Sequence, residues 1–235
     1  MLIFAHRGAS GEFPENTILA IEKAISQGAH GIEFDVQQCS DDLAITHDRK
    51  ISYAGLRQRV SNLSMQQLKS IALPESQRIP TLNEVLQTID GRCMVNVELK
   101  EISDLATTKE TLHRAITEYH FAPEQIIVSA FNHHILQTVS NWHLGIRIGA
   151  LTATVPYGYA GFATYLKATS VHADINALSE AFVQDTRARG MQLFVYTVDD
   201  EDDIAQLIEW QVDGIFTNYP ARSAEIVSNL TRSLK

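Results

Sequence analysis

The sequence predicts a (β/α)8 TIM barrel, and three observations carry the prediction. A short apolar run recurs eight times along 235 residues. Most of these runs are followed by a helical pattern. No Gly-x-Gly-x-x-Gly follows the first run, so the signature of an open dinucleotide-binding sheet is missing. Strand-helix alternation implies parallel strands joined by helical crossovers. Eight repeats in this length match a closed barrel better than an open sheet.

Taken in order, residues 2–5 form the first strand and 17–27 the first helix, with Ile18, Ile21, Ala24 and Ile25 on one face. The second strand is 31–36. The rhythm then breaks between Asp48 and Pro80. There, ISYAGLRQRVSNLS reads as a loop leading to a short helix at 65–71, and Thr81 with Glu84 reads as a capping box opening another helix. Residues 49–80 are accordingly expected to be a short insertion over the barrel mouth, within one domain spanning 1–235. Strands at 94–99, 126–129, 146–151, 170–173, 193–197 and 214–217 complete the set. Helices are expected at 105–119 and from Asn132 onward.

Composition narrows the function classes. Hydrophobic residues make up 45% and charged residues 20%, the profile of an ordinary globular protein. The net charge is −9, from 19 Lys and Arg against 28 Asp and Glu. That excess of acid argues against a nucleic-acid partner, which needs a basic face. It leaves room for one small anion held by a cation, because a bound ion inverts the local field. Cys39 and Cys93 have no metal-ligand or disulfide spacing and read as reduced core residues. The start, MLIFAHRG, has no basic leader, and no apolar run approaches the ~18 residues of a membrane span. A cytoplasmic protein with no membrane partner is expected. A twofold homodimer is the expected assembly, since that symmetry is the commonest.

The chemistry is read from strand periodicity. Residues i and i+2 of a strand share a face. Glu33 and Asp35 in GIEFDV, and Glu98 and Lys100 in VELK, therefore point together at the ends of adjacent strands. In a barrel those ends converge on one mouth. Three carboxylates meeting there are costly unless a cation lies between them. Oxygen donors of this kind suit a hard divalent ion, Ca²⁺ or Mg²⁺, better than zinc. His6-Arg7-Gly8 ends the first strand. Arg grips phosphoryl oxygens through two donors, and His carries protons near neutral pH. His47-Asp48 supplies a second histidine just past the second strand. Two histidines flanking a bound phosphate make a general acid and base pair.

The chain resembles the glycerophosphodiester phosphodiesterases, and its bacterial cytoplasmic members most of all. The matching runs are HRG at 6–8, PENT at 14–17, EFD at 33–35, HD at 47–48, ELK at 98–100, SAF at 129–131, YTVD at 196–199 and GIFTNYP at 214–220. The resemblance implies metal-dependent hydrolysis of a small glycerophosphodiester to glycerol 3-phosphate and an alcohol. It implies a divalent cation held by Glu33, Asp35 and Glu98, with His6 and His47 as the acid-base pair. Arg7 and Lys100 would neutralise phosphate charge. Glu15, Asn16 and Asp48 would support the site, and Ser129, Phe131 and Tyr196 would line the pocket, the two rings walling the glycerol. Four features depart from the family pattern. HDRKISYAG stands where an Arg-Thr-Thr-Gly-like run is common, the insertion is short, Tyr196 replaces a Trp, and Asn218 replaces an Asp.

The remaining histidines read differently. His113, His120, His133, His134 and His143 fall on surface patterns. His30 lies at the stability end of the barrel, and His172, at the end of the sixth strand, is a minor substrate-contact candidate. The acidic run 199–203 reads as the dipole-complementing start of a helix. Two other functions compete with the hydrolase. One is a related phospholipase-type phosphodiesterase, which calls for a membrane-facing patch that this acidic chain does not show. The other is a non-catalytic phosphodiester binder, which would be expected to have lost a histidine or a metal acid.

Overall fold

The computed structural model describes residues 1–233. Its strands are β1 (Leu2–His6), β2 (Gly31–Gln38), β3 (Leu43–Ile45), β4 (Lys50–Tyr53), β5 (Leu56–Arg59), β6 (Met94–Leu99), β7 (Ile126–Ala130), β8 (Arg147–Thr152), β9 (Ser170–Asp174), β10 (Gln192–Tyr196) and β11 (Gly214–Thr217). Eight of them, β1, β2, β6, β7, β8, β9, β10 and β11, pair in parallel in that order, and β11 closes back onto β1. The (β/α)8 barrel read from the sequence is therefore the observed architecture. The strands read as near-continuous apolar runs because a parallel barrel buries both faces of each strand, one inside and one beneath the helices.

Two layers fill the inside. Phe4, Ile127, Phe194 and Phe216 form an aromatic-rich middle. Phe4 lies 5.3 Å from both Phe194 and Phe216, ring centroid to centroid. Glycine makes the room: a Cβ on Gly31 would come within 2.4 Å of the Phe4 ring, and one on Gly149 within 2.4 Å of His172. Above this layer the inward positions turn polar, starting with His6, Glu33 and Asn96, which share a register across β1, β2 and β6. The helices pack outside. Helix Ile18–Ser26 starts from Thr17, whose hydroxyl accepts from the Ala20 amide, and it buries Ala20, Ile21 and Ala24. Helix Leu82–Ile89 carries the expected capping box of Thr81 and Glu84 and buries Leu82, Val85, Leu86 and Ile89.

The insertion departs from its expectation. The stretch read as a loop contains a hairpin, β4 against β5, turned by Ala54 and Gly55 with φ of +51° and +78°. Positive φ at both central residues is what a tight hairpin turn requires. β4 alternates over four residues only, Ile51 and Tyr53 turning to a small core, and β5 shows no apolar alternation, so the pair is too short and too exposed to be recognised in sequence. The short helix is Met65–Lys69, capped by Ser64 and Gln67. Val60, Leu63, Met65, Leu68 and Ile79 pack with Cys39 and Ala44 into a small core separate from the main one. β3 runs antiparallel along the end of β2 and carries the chain toward this insertion. Both cysteines are free and buried, as expected, and burial pushes the Cys93 thiol up to about 11.

Candidate active site

The mouth is assembled by backbone that ordinary residues avoid. Arg7 and Asn16 both have φ of +57°, in the left-handed region, and the Asn16 amide donates to the Arg7 carbonyl at 2.9 Å. Backbone strain of this kind persists only where surrounding contacts impose it. Here it turns the Arg7 amide onto Glu33 Oε2 at 2.8 Å and brings the Asn16 side chain to Asp35. Asn16 Nδ2 donates to Asp35 Oδ2 at 2.9 Å, and its Oδ1 accepts from the Asp35 amide at 3.2 Å.

Glu33, Asp35 and Glu98 each offer one oxygen to a cluster whose members lie within 4.8 Å of one another. Fixed cations surround it. Lys100 Nζ lies 2.9 Å from Asp35 Oδ1 and also donates to Glu98 Oε1. Arg7 Nε lies 3.1 Å from Asp35 Oδ2, and Arg7 Nη1 reaches the half-exposed Glu15 at 3.0 Å. The charges are unequally matched. Burial works against ionising Asp35, but Lys100 and Arg7 together hold its carboxyl below the usual range. Glu33 goes the other way: burial, then the neighbouring Asp35 and Glu98, push it well above that range. Glu98 is raised as well, again chiefly by burial.

A divalent cation fits this donor set. Glu33 Oε1 is buried with no hydrogen-bond partner, although its carboxylate sits among two others. An orphaned buried oxygen is expensive, and a hard cation coordinated by carboxylates is the group that satisfies it.

The histidines are held by defined partners. Asn218 Nδ2 donates to Asp199 Oδ2 at 2.6 Å, which fixes the amide and turns its Oδ1 toward His6. That oxygen lies 2.8 Å from His6 Nδ1 and accepts from Ser10 Oγ at 2.8 Å. An amide oxygen only accepts, so Nδ1 carries the hydrogen and Nε2 presents its lone pair, 4.0 Å from Glu33 Oε2. Burial and then Arg7 lower the His6 pKa, so the ring is neutral at pH 7. His47 is half-exposed, and its Nδ1 lies 3.1 Å from Asp48 Oδ1, a carboxylate that can only accept when ionised. Gln37 Nε2 holds the His47 carbonyl at 2.9 Å.

On the other flank, Phe131 and Tyr196 stand edge to face, 6.2 Å between centroids, with Lys100 Nζ 6.0 Å from the Phe131 ring. Tyr196 donates its hydroxyl to the Thr152 carbonyl at 2.9 Å. Ser129 lies beneath, fully buried, with an unpartnered hydroxyl.

Three expectations need correction. His172 is not at a strand end. It is the third residue of β9, fully buried against Phe194 and Phe216, and burial drives its pKa down to about 3. Asp199 is not part of a helix start. The helix is Glu201–Glu209 capped by Asp200, and Asp199 instead accepts from the Thr217 hydroxyl and from the Asn218 amide and side chain. His133 is half-buried rather than on the surface. It is stacked at 5.0 Å on Phe162, with Nε2 on the Leu151 carbonyl.

Residues Ser10, Asn218 and Asp199 escaped the sequence reading as site members. Their signal was present only as the family's preference for an acidic residue at position 218.

Buried carboxylates among fixed cations, with two oriented imidazoles, thus meet at the carboxyl end of a TIM barrel, the end where this fold carries active sites, and this chain is a phosphodiesterase-class enzyme. It belongs to the Glycerophosphoryl diester phosphodiesterase family, whose sequence profile matches residues 6–222. A glycerophosphodiester phosphodiesterase of Caldanaerobacter subterraneus is 34% identical over 98% of both chains. One of Bacillus altitudinis is 31% identical over 95% of this chain and 97% of its own. The fold is shared with a solved phosphodiesterase of Oleispira antarctica, in complex with its product sn-glycerol 3-phosphate. It has a TM-score of 0.84 and 24% identity over 97% of each chain.

Proposed function

We propose that this protein hydrolyses small glycerophosphodiesters to glycerol 3-phosphate and an alcohol at the His6 mouth, using a divalent cation. The observation that carries the reading is the Glu33, Asp35 and Glu98 cluster with its unpartnered Glu33 Oε1, set between Arg7, Lys100 and His6. Glu33, Asp35 and Glu98 would hold the cation, and Asn16 fixes the rotamer of Asp35. Ca²⁺ and Mg²⁺ both match an all-oxygen donor set. When bound, the cation polarises the phosphoryl group and offsets charge that develops on its oxygens.

Arg7 and Lys100 supply fixed positive charge at the phosphate. His6, neutral with Nε2 free, takes the proton from the attacking nucleophile; one water is consumed overall, and the phosphorus–oxygen bond to the leaving alcohol breaks. His47, oriented by Asp48, gives a proton to the leaving alcohol. Glu15 holds the Arg7 guanidinium, and Phe131 with Tyr196 forms an apolar wall for the glycerol carbons. The chain acts as one domain from residue 1 to 235, the insertion at about 49–80 forming part of the mouth. Among the described residues no helix is long and apolar enough to cross a membrane. A cytoplasmic enzyme without membrane or nucleic-acid partners accords with that and with the net charge of −9. A twofold homodimer is the proposed assembly, which sedimentation checks.

The test is a coupled assay for glycerol 3-phosphate release from glycerophosphoethanolamine and glycerophosphocholine. It is run with EDTA and then with Ca²⁺ or Mg²⁺ restored. Release abolished by EDTA and restored by metal is the expected result. Release indifferent to EDTA removes the cation from the reading, and no release under any metal removes the substrate class.

A further inference from the structure

A groove of about 600 Å³ opens beside Lys100, between the insertion and the loops after β2, β6 and β7, and neither Phe131 nor Tyr196 is in its lining. It is within the range of small-molecule clefts. Its lining includes Gln38, Ser40, Ser61, Ser103 and Asn132, a set of neutral hydrogen-bonding groups. The hydroxyls of Ser40 and Ser61, the amide nitrogen of Gln38 and that of Asn132 make no hydrogen bond among the described residues. They are exposed or half-buried, so they stay solvated until a ligand displaces the water.

The acidic residue of the groove is not available to a cation. Glu101 accepts from Arg49 Nη1 at 3.3 Å and lies 3.5 Å from Arg59 Nη1. Arg57 lies 3.9 Å from Asp48 at the same rim. On this edge the three arginines Arg49, Arg57 and Arg59 share two carboxylates, Asp48 and Glu101. The acids beyond Ser40 and Ser103, namely Asp41, Asp42 and Asp104, lie outside the lining and each accept from a backbone amide, of Met65, Leu43 and Ala106. Recognition of a quaternary or primary ammonium uses free carboxylates or open aromatic faces. The lining contains no aromatic ring, and the nearby Phe131 already has Lys100 over it.

We infer that this groove is the subsite for the leaving alcohol and that it selects a neutral polyhydroxyl head group, such as glycerol or inositol, over choline or ethanolamine. The inference rests on the hydrolase reading above, with the phosphate at Lys100 and the glycerol carbons at Phe131 and Tyr196. The polyol hydroxyls pair with Ser40, Ser61, Gln38 and Asn132. An ammonium entering the same groove meets the arginine edge and finds no carboxylate in the lining except Glu101, which Arg49 and Arg59 already hold. Each added hydrogen bond is worth roughly fivefold, so two of them correspond to roughly tenfold or more in kcat/KM.

The experiment compares kcat/KM of the full chain, with divalent cation present, on four substrates. These are glycerophosphoglycerol, glycerophosphoinositol, glycerophosphocholine and glycerophosphoethanolamine. The polyol diesters are expected to lead by about tenfold. Ser61→Leu and, separately, Ser40→Leu are expected to bring that ratio toward one by raising KM for the polyols. Both positions are exposed, so the variants should fold, and their melting temperatures check that they do. Release from all four without a polyol preference, or a preference that survives both variants, overturns this inference alone. No release from any of the four overturns the hydrolase reading and this inference with it.

Discussion

His6 and His172 border the same small cavity inside the barrel, yet the structure gives them opposite lives. Both point inward from strands and both are lowered in pKa, chiefly by burial. At the mouth, His6 has a partner that fixes its tautomer, a neighbouring carboxylate and a free Nε2. Deeper down, His172 is enclosed by two phenylalanines, takes one hydrogen bond with Ser170 Oγ at 2.9 Å, and leaves Nδ1 unpartnered. The layer of the barrel decides what surrounds a titratable residue. The polar layer fixes its tautomer and leaves one ring nitrogen open to the mouth, whereas the aromatic layer only suppresses its charge.

The sharpest way to break that contrast is to remove each ring. His6→Ala and His47→Ala are each expected to cost on the order of 10² to 10⁴ in kcat for glycerol 3-phosphate release, whereas His172→Leu should cost less than about tenfold. Loss of activity in the His172 variant matching that of His6→Ala would erase the distinction between the layers.

Glu33→Gln separates site from scaffold in the same way. It should abolish Ca²⁺ and Mg²⁺ binding by calorimetry. It should also raise the melting temperature of the EDTA-treated protein, because a buried carboxyl crowded by Asp35 and Glu98 is removed. A lower melting temperature would mean that Glu33 is held by contacts stronger than the repulsion.

The pH dependence of stability reports on the deeper layer. The His172 pKa falls from 6.5 unfolded to about 3 folded. Below pH 6.5 the unfolded chain takes up a proton that the folded chain refuses. Stability is therefore full above 6.5 and declines as pH drops toward 3, by on the order of 4 kcal/mol from this group. Urea unfolding at stepped pH checks it, and His172→Leu should flatten that part of the curve. An unaltered curve in the variant would assign the acid loss to other groups.

The smallest effect concerns orientation. Asn218→Ala removes the acceptor that fixes His6 and should lower kcat by about tenfold. It should also move the acid limb of the kcat/KM profile to lower pH, because that hydrogen bond raises the His6 pKa. A fall in kcat without movement of the limb would leave Asn218 a packing residue.

These differences also explain what could be read in advance. Glu33, Asp35, Glu98 and Lys100 were accessible because strand alternation is strictly local: two residues apart is the same side, whatever the rest of the chain does. The eight-strand count followed from the same rule. The hairpin Lys50–Arg59 was not accessible, because the alternation of Ile51 and Tyr53 is only four residues long, its partner strand has none, and its turn depends on Ala54 adopting positive φ. Asp199 misled because an acid before a helix serves the helix dipole as readily as it serves a neighbouring strand.

By itself, then, the sequence determined the barrel, the order of its strands and the acidic and basic residues that meet at its mouth. Each of these follows from short-range periodicity and from strand ends that must converge. Only the tertiary structure decided that Asn218 holds His6, that His172 is sealed into the aromatic layer, and that Glu101 is spoken for by Arg49 and Arg59. Those pairings join residues 212, 22, 52 and 42 positions apart, or depend on which strand lies next to which. No local pattern encodes them, because they exist only once closure of the barrel brings distant strands and loops together.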